Sequence, residues 1–209
     1  MSVDTWILYF LAVLILTASP GPSSLLCMTK GVTQGMRSGT YTALGSLTAI
    51  TIILSLSFTG LGVVIASSEL VFNIIKYTGA AYLIYLGAKA IFSKEEQYEL
   101  SKQGEVQEKN ALEHYVSGFI VGASNPKAIL FFTALFPQFI SPTEPMFQQY
   151  LIFASTFMVM ELSWLLLYAS LGAKSSNWIL AKGRAKLFNR LSGSVFVSAG
   201  ALLSTTSRT

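Results

Sequence analysis

Ser19-Pro20-Gly21-Pro22 interrupts an apolar run that extends from Trp6 to about Met36 and would otherwise form one long membrane-crossing helix. Two prolines and a glycine in succession remove backbone donors and clash with the preceding turn, so the helix comes apart there. Hydrocarbon offers freed peptide groups no water, and broken backbone persists in a bilayer only where protein or a wet cavity covers it. The run is also too long for a simple span, at roughly 30 residues against the about 20 that a straight helix needs. Length and break together predict two half-helices, Trp6 to Ala18 and Ser23 to Met36, meeting inside the bilayer. A second break, Asn125-Pro126-Lys127, lies in a second apolar run from about Tyr115 to Phe136. Paired interruptions in corresponding halves of a chain point to a transporter's binding site.

The surrounding composition agrees. Of 209 residues, 52% are hydrophobic and 11% are charged. A soluble domain carries about a quarter charged residues, so this is an integral membrane protein with the lipid bilayer as its medium. The basic residues behind the net charge of +4 gather in connecting segments and make no nucleic-acid-binding face. Cys27 is the single cysteine and His114 the single histidine, which excludes an internal disulfide, dithiol redox chemistry and a Cys/His metal cluster. No metal or other cofactor is expected. Asp4 is the only charge ahead of Trp6, where a signal peptide would be positive, so the first segment is expected to be retained.

The remaining apolar runs give segment two (about Thr40 to Ala66), three (Leu70 to Phe92), five (Phe147 to Ala173) and six (Leu191 to about Thr206). Thr48, Thr51, Ser55 and Thr59 share a face of segment two near Gly45 and Ala49, a pattern of close helix packing with substrate lining as the alternative. Tyrosines in segment three suit interfacial anchors. Lys174 to Arg190 is basic and partly amphipathic, suited to an anionic leaflet surface.

Residues 93–112 are strongly polar and join two halves, about 1–92 and 113–209, of a single transmembrane domain. Lysine and arginine cluster after segments one, three and five, so that loop is expected in the cytoplasm and both termini outside. Placing Pro20 on Pro126 sets Leu25-Leu26 on Phe131-Phe132, and Lys76-Tyr77-Thr78-Gly79 resembles Arg190-Leu191-Ser192-Gly193. The expected fold is an all-α membrane protein with six transmembrane helices in a three-plus-three inverted repeat, its two broken helices near the midplane.

The breaks carry the candidate binding residues. Pro22 and Pro126 stand where new half-helices begin, and free N–H groups with the positive dipole end there suit a carboxylate. Carbonyls around Ala18, Ser19 and Ser124 suit an ammonium, with Pro20, Gly21, Ser23, Ser24 and Asn125 lining the gap; the alternative is a pair of mere kinks. Lys127 and Glu161 are the only charges well inside spans, where charge is costly and serves function or pairs. They form either a structural ion pair between halves or a substrate and proton site. Glu161, Trp164 and Tyr168 share one face of segment five, and an acid beside aromatic rings can hold an ammonium. Lipid contact is the other reading of the two rings.

Ser19-Pro20-Gly21-Pro22 with Leu25-Leu26, Gly31, Gly35, Arg37, Gly39 and Gly45, then Gly79-Ala80-Ala81-Tyr82-Leu83 with Tyr85-Leu86-Gly87, resemble the LysE/RhtB amino-acid exporters. Asn125-Pro126-Lys127-Ala128 with Phe131-Phe132, Pro137-Gln138-Phe139, Asn189-Arg190 and Gly193 extend the resemblance through segment six. It implies export of amino acids across the inner membrane of a bacterium, driven by the proton gradient. Ser23 stands where the family pattern has asparagine. Segment two also lacks the acid found in exporters of basic amino acids, which favours neutral substrates such as threonine, homoserine or leucine. Moving a zwitterion against a proton gradient requires a group that binds and releases a proton, and Glu161 is the only carboxyl inside the spans. The competing readings are export of basic amino acids or another small amine, a channel, and a structural or assembly protein. A membrane enzyme would need a nucleophile, base or metal constellation that the spans do not offer. Oligomeric state stays open, a homo-oligomer included.

Overall fold

The first apolar run divides at the expected place. In a computed structural model that describes residues 2–60, 69–92, 110–141, 143–179 and 184–205, α1 (Val3–Ala18) begins at Ser2, whose side chain accepts from the Thr5 amide, and stops at Ser19. Helix α2 (Pro22–Phe58) opens with Pro22 in its first turn, where a missing N–H costs no hydrogen bond. Gly35 then takes φ 81° and ψ 175°, backbone that only glycine adopts readily, and the chain folds back on itself. Evidence for the reversal is that a Cβ at Gly39 would meet the Cys27 carbonyl at 3.3 Å. α2 is thus two limbs, residues 22–34 and 36–58, corresponding to the end of segment one and to segment two.

Helix α3 (Glu69–Ile91) matches segment three. The second broken run gives α4 (Ala111–Ala123), a break at Ser124 and Asn125, and α5 (Pro126–Leu130). α5 continues through a widened π turn, Phe131–Leu135, and a tight turn, Phe136–Phe139. α6 (Met146–Ile179) and α7 (Arg184–Thr205) are both longer than expected. Of the basic stretch from Lys174 to Arg190, residues 174–179 end α6 and residues 184–190 begin α7. Lysine and arginine are good helix formers whose long stems carry the charge outward, so apolarity ends before the helix does. Residues 93–109 of the polar connection, and the expected ends of segments two and six at Ala66 and Thr206, lie outside the described residues.

Among the described residues the elements are helical throughout, and α2 and residues Met146–Trp178 of α6 are long and apolar enough to cross a bilayer. α1 and residues Ala80–Ile91 of α3 are shorter apolar helices. Polarity is distributed as lipid demands. Ile7, Leu8, Leu11 and Ile15 of α1 and Leu151, Val159, Leu167 and Leu171 of α6 are exposed, whereas Ser23, Ser46, Asn125, Gln149 and Glu161 are buried.

Glycine sets the helix contacts. The 36–58 limb of α2 crosses α4 so closely that a Cβ at Gly45 would lie 1.9 Å from the Tyr115 carbonyl oxygen, and one at Gly118 would lie 2.0 Å from that of Thr42. The 22–34 limb meets α6 at Gly31 and Gly172, and α3 meets α7 at Gly87 and Gly193. Without a hydrophobic drive between helices in lipid, such close backbone approach supplies the packing. On the hydroxyl face of α2, Thr48 and Thr59 bond back to Leu44 and Ser55 of the same helix, Ser55 meets the Tyr150 hydroxyl at 2.8 Å, and Thr51 Oγ1 is buried without a hydrogen bond among the described residues. One end of the bundle is filled by Tyr9, Phe58, Phe132, Phe136, Phe153 and Phe157, largely edge to face.

Leucine at Gly118 forces α4 away from α2 at a point where only backbone can give. Gly118→Leu should lose most folded protein in detergent, with a cost of about 3 kcal/mol or more in thermal unfolding. Ile52→Leu on the exposed face of α2 serves as the control for yield.

Candidate functional site

Pro22 and Pro126 occupy the same position, the first turn of a helix that restarts after a break. Pro20, set on Pro126 in the sequence alignment, lies before the restart and is exposed. The first break is capped differently from the second. Gly21, extended at φ −146°, offers α2 no side-chain cap, whereas Asn125 Oδ1 accepts the Lys127 amide at 3.2 Å.

The two breaks meet. Asn125 Nδ2 donates to Ser23 Oγ at 3.2 Å, and Ser46 Oγ donates to the same oxygen at 2.8 Å. Ser23, Asn125 and Ser46 are each at most 2% exposed, so this junction of α2, the second break and the 36–58 limb is dry and mutually satisfied. Ser24 and Ser124 are buried beside it.

Lys127 makes the longer reach. Its Nζ donates to the Leu16 carbonyl at 2.6 Å and the Ser19 carbonyl at 2.7 Å, with Ser19 Oγ at 3.3 Å. These oxygens belong to the C-terminal end of α1, where helix carbonyls lack partners and the dipole is negative. Tyr168 completes that end by donating its hydroxyl to the Ala18 carbonyl at 2.9 Å. Gly21 packs beside the lysine, a Cβ there standing 3.4 Å from both Cε and Nζ. The carbonyls that the sequence assigned to an incoming ammonium are thus occupied by the protein's own lysine and tyrosine.

Glu161 is 7% exposed and, among the described residues, makes no hydrogen bond or ion pair. Lys127 and Cys27 are its electrostatic neighbours. The ion pair expected as one role for Lys127 and Glu161 is replaced by bonds from the lysine to backbone. Trp164 is half-buried on the same face, and Tyr168 hydrogen-bonds the end of α1. Ser46 and the Leu16 carbonyl were missed by the sequence reading. Ser46 lies off the hydroxyl stripe of segment two, and its one signal is adjacency to Gly45, which draws α4 near. A backbone carbonyl has no sequence signal at all.

The LysE-type translocator family model matches residues 14–207, which include both breaks, Glu161 and Tyr168. The chain belongs to the LysE-type translocator family. It is 34% identical over 203 residues to a homoserine/homoserine lactone efflux protein of Salmonella typhimurium, covering 97% of each chain. It is 30% identical over 202 residues to a leucine efflux protein of the same organism, covering 94% of this chain and 93% of the relative. An uncharacterised membrane protein of Bacillus subtilis is 31% identical over 187 residues, with 87% and 89% covered. No solved structure matches the chain.

In this LysE-type translocator the Ser23–Asn125 bond ties one break to the other. Ser23→Ala and Asn125→Ala should therefore be coupled, with a double-mutant interaction of about 0.5–2 kcal/mol in detergent unfolding. Strict additivity would mean that the breaks are held together by other contacts.

Proposed function

We propose that this translocator exports neutral amino acids from the bacterial cytoplasm across the inner membrane in exchange for protons. The observation that carries the reading is the junction of the two helix breaks, tied through Ser23 and Asn125 at 3.2 Å. A zwitterion needs a positive and a negative pole at the right separation. The uncapped start of α2 offers the Ser23 and Ser24 amides at the positive end of a helix dipole, and the end of α1 offers carbonyls, held by Lys127 and Tyr168 in the empty protein, at the negative end of another. The efflux of homoserine and of leucine named for two relatives, together with the lack of an acid in segment two, favours neutral substrates over basic ones. Membership of a translocator family makes transport, and not catalysis, the reading of this site.

The architecture that serves this function is three spans per half in opposite orientations, halves about 1–92 and 113–209, with Pro22 and Pro126 as equivalent points. Termini outside follow from the lysines and arginines after segments one, three and five. At two of those places the charge lies over a tyrosine ring, Arg37 over Tyr41 and Lys89 over Tyr85, each 5.9 Å from the ring centre, as suits a membrane interface.

Glu161 is assigned the proton. It is buried on α6 without a hydrogen-bonded partner among the described residues, within the field of Lys127, and a shift of that lysine changes its affinity for a proton. Uptake of radiolabelled leucine and homoserine into inverted membrane vesicles tests the whole reading. Wild-type vesicles should accumulate both when a proton gradient is imposed and exchange both when it is not. Glu161→Gln should keep exchange and lose gradient-driven accumulation down to the level of the no-gradient control. Absence of transport by the wild type removes the function, and full accumulation by Glu161→Gln removes the residue from coupling.

A further inference from the structure

At the end of α1, three oxygens surround one ammonium: Leu16 O at 2.6 Å, Ser19 O at 2.7 Å and Ser19 Oγ at 3.3 Å from Lys127 Nζ. Three N–H donors meet three acceptors, and the negative end of a helix dipole supplies the field. The donor comes from the opposite break, more than a hundred positions along the chain. We propose that this carbonyl cup is the primary-ammonium site of the exporter, and that Lys127 is a resident cation which the ammonium of the substrate displaces. The inference rests on the amino-acid export reading and adds to it the identity of the group that the substrate must replace.

Several features fit displacement better than permanent capping. The cup lies in the gap between half-helices, bordered by Gly21, where a Cβ would stand 3.4 Å from the lysine. Lys127 sits on a helix of only Pro126–Leu130, followed by the π turn Phe131–Leu135. Such widened turns are rare and occur frequently at functional sites. Glu161 gives the displaced lysine a destination, for it is buried, electrostatically coupled to Lys127 and without a hydrogen bond among the described residues. With Lys127 in the cup, the carbonyls freed by the break are satisfied and the empty transporter is stable. With a substrate ammonium there, the same carbonyls are satisfied by the cargo, and the lysine pairs with Glu161. Neither state leaves buried carbonyls orphaned, as a cycle within hydrocarbon requires.

The test uses purified full-length protein, with ethylammonium as a minimal primary-ammonium probe and tetramethylammonium as a cation lacking N–H donors. Lys127→Ala should bind ethylammonium saturably and about tenfold more tightly than wild type does, while tetramethylammonium should bind to neither. The affinity of Lys127→Ala for labelled leucine should rise about tenfold, as expected if the cup is vacant in about a tenth of wild-type molecules. Ethylammonium should compete with leucine in that variant. Lys127→Met, which keeps the stem and removes the charge, should show the same gain in leucine affinity and covers the case in which Lys127→Ala does not fold. Unchanged or weaker leucine binding in the folded variants, or simultaneous binding of leucine and ethylammonium, would overturn the proposal. The ethylammonium arm needs no transport, so failure of the export reading and failure of the cup are told apart.

Discussion

A peptide carbonyl freed inside a membrane must find a donor, and the structure around the two helix breaks is arranged by that requirement. α1 ends in mid-chain, leaving Leu16, Ala18 and Ser19 oxygens that no helix continues to bond. Lys127 and Tyr168 donate to them from two other elements. Ionic donors are costly in hydrocarbon, yet an ammonium with three acceptors exchanges one liability for another and leaves neither exposed. The second break is solved locally, by Asn125 capping α5, and then joined to the first through Ser23. Satisfying the backbone and bringing the breaks together are one arrangement, because the lysine that closes α1 follows directly on the break it comes from.

Close packing makes that arrangement possible. The reversal at Gly35 returns the chain alongside itself, and the Gly45, Gly118 and Gly122 contacts lay the second limb of α2 against α4, bringing Ser46 to Ser23. The aromatic group of Tyr9, Phe132, Phe136, Phe153 and Phe157 closes one end of the same space. Polar groups thus gather along a line between half-helices while leucine, isoleucine and valine face outward, the inverse of a soluble domain.

Much of this was legible in the sequence, for physical reasons that differ by element. Proline and glycine in an apolar run mark a break without any knowledge of packing, and so Ser19 to Pro22 and Asn125-Pro126 were found with their helix starts. Helix ends were less legible: α6 and α7 run beyond their apolar stretches because lysine, arginine and alanine continue a helix as readily as leucine does. The meeting of the breaks was inferred, but not its chemistry. Which hydroxyl faces Ser23 depends on the rotation of α2 about α4, set by glycine contacts that any one glycine leaves ambiguous, and the role of the Leu16 oxygen belongs to backbone that every residue carries. Lys127 and Glu161 were singled out correctly as costly charges, whereas the preference of the lysine for carbonyls over the carboxylate depends on a distance that sequence does not encode.

The central claim is that one small zwitterion engages both breaks at once. Hydrogen–deuterium exchange of the purified protein, with and without saturating leucine or homoserine, reads this directly. The account predicts slower exchange on ligand addition in residues 19–28 and 124–131 together, with the α3–α7 contact region unchanged. Protection of one break without the other, or confined to segments remote from both, would contradict it.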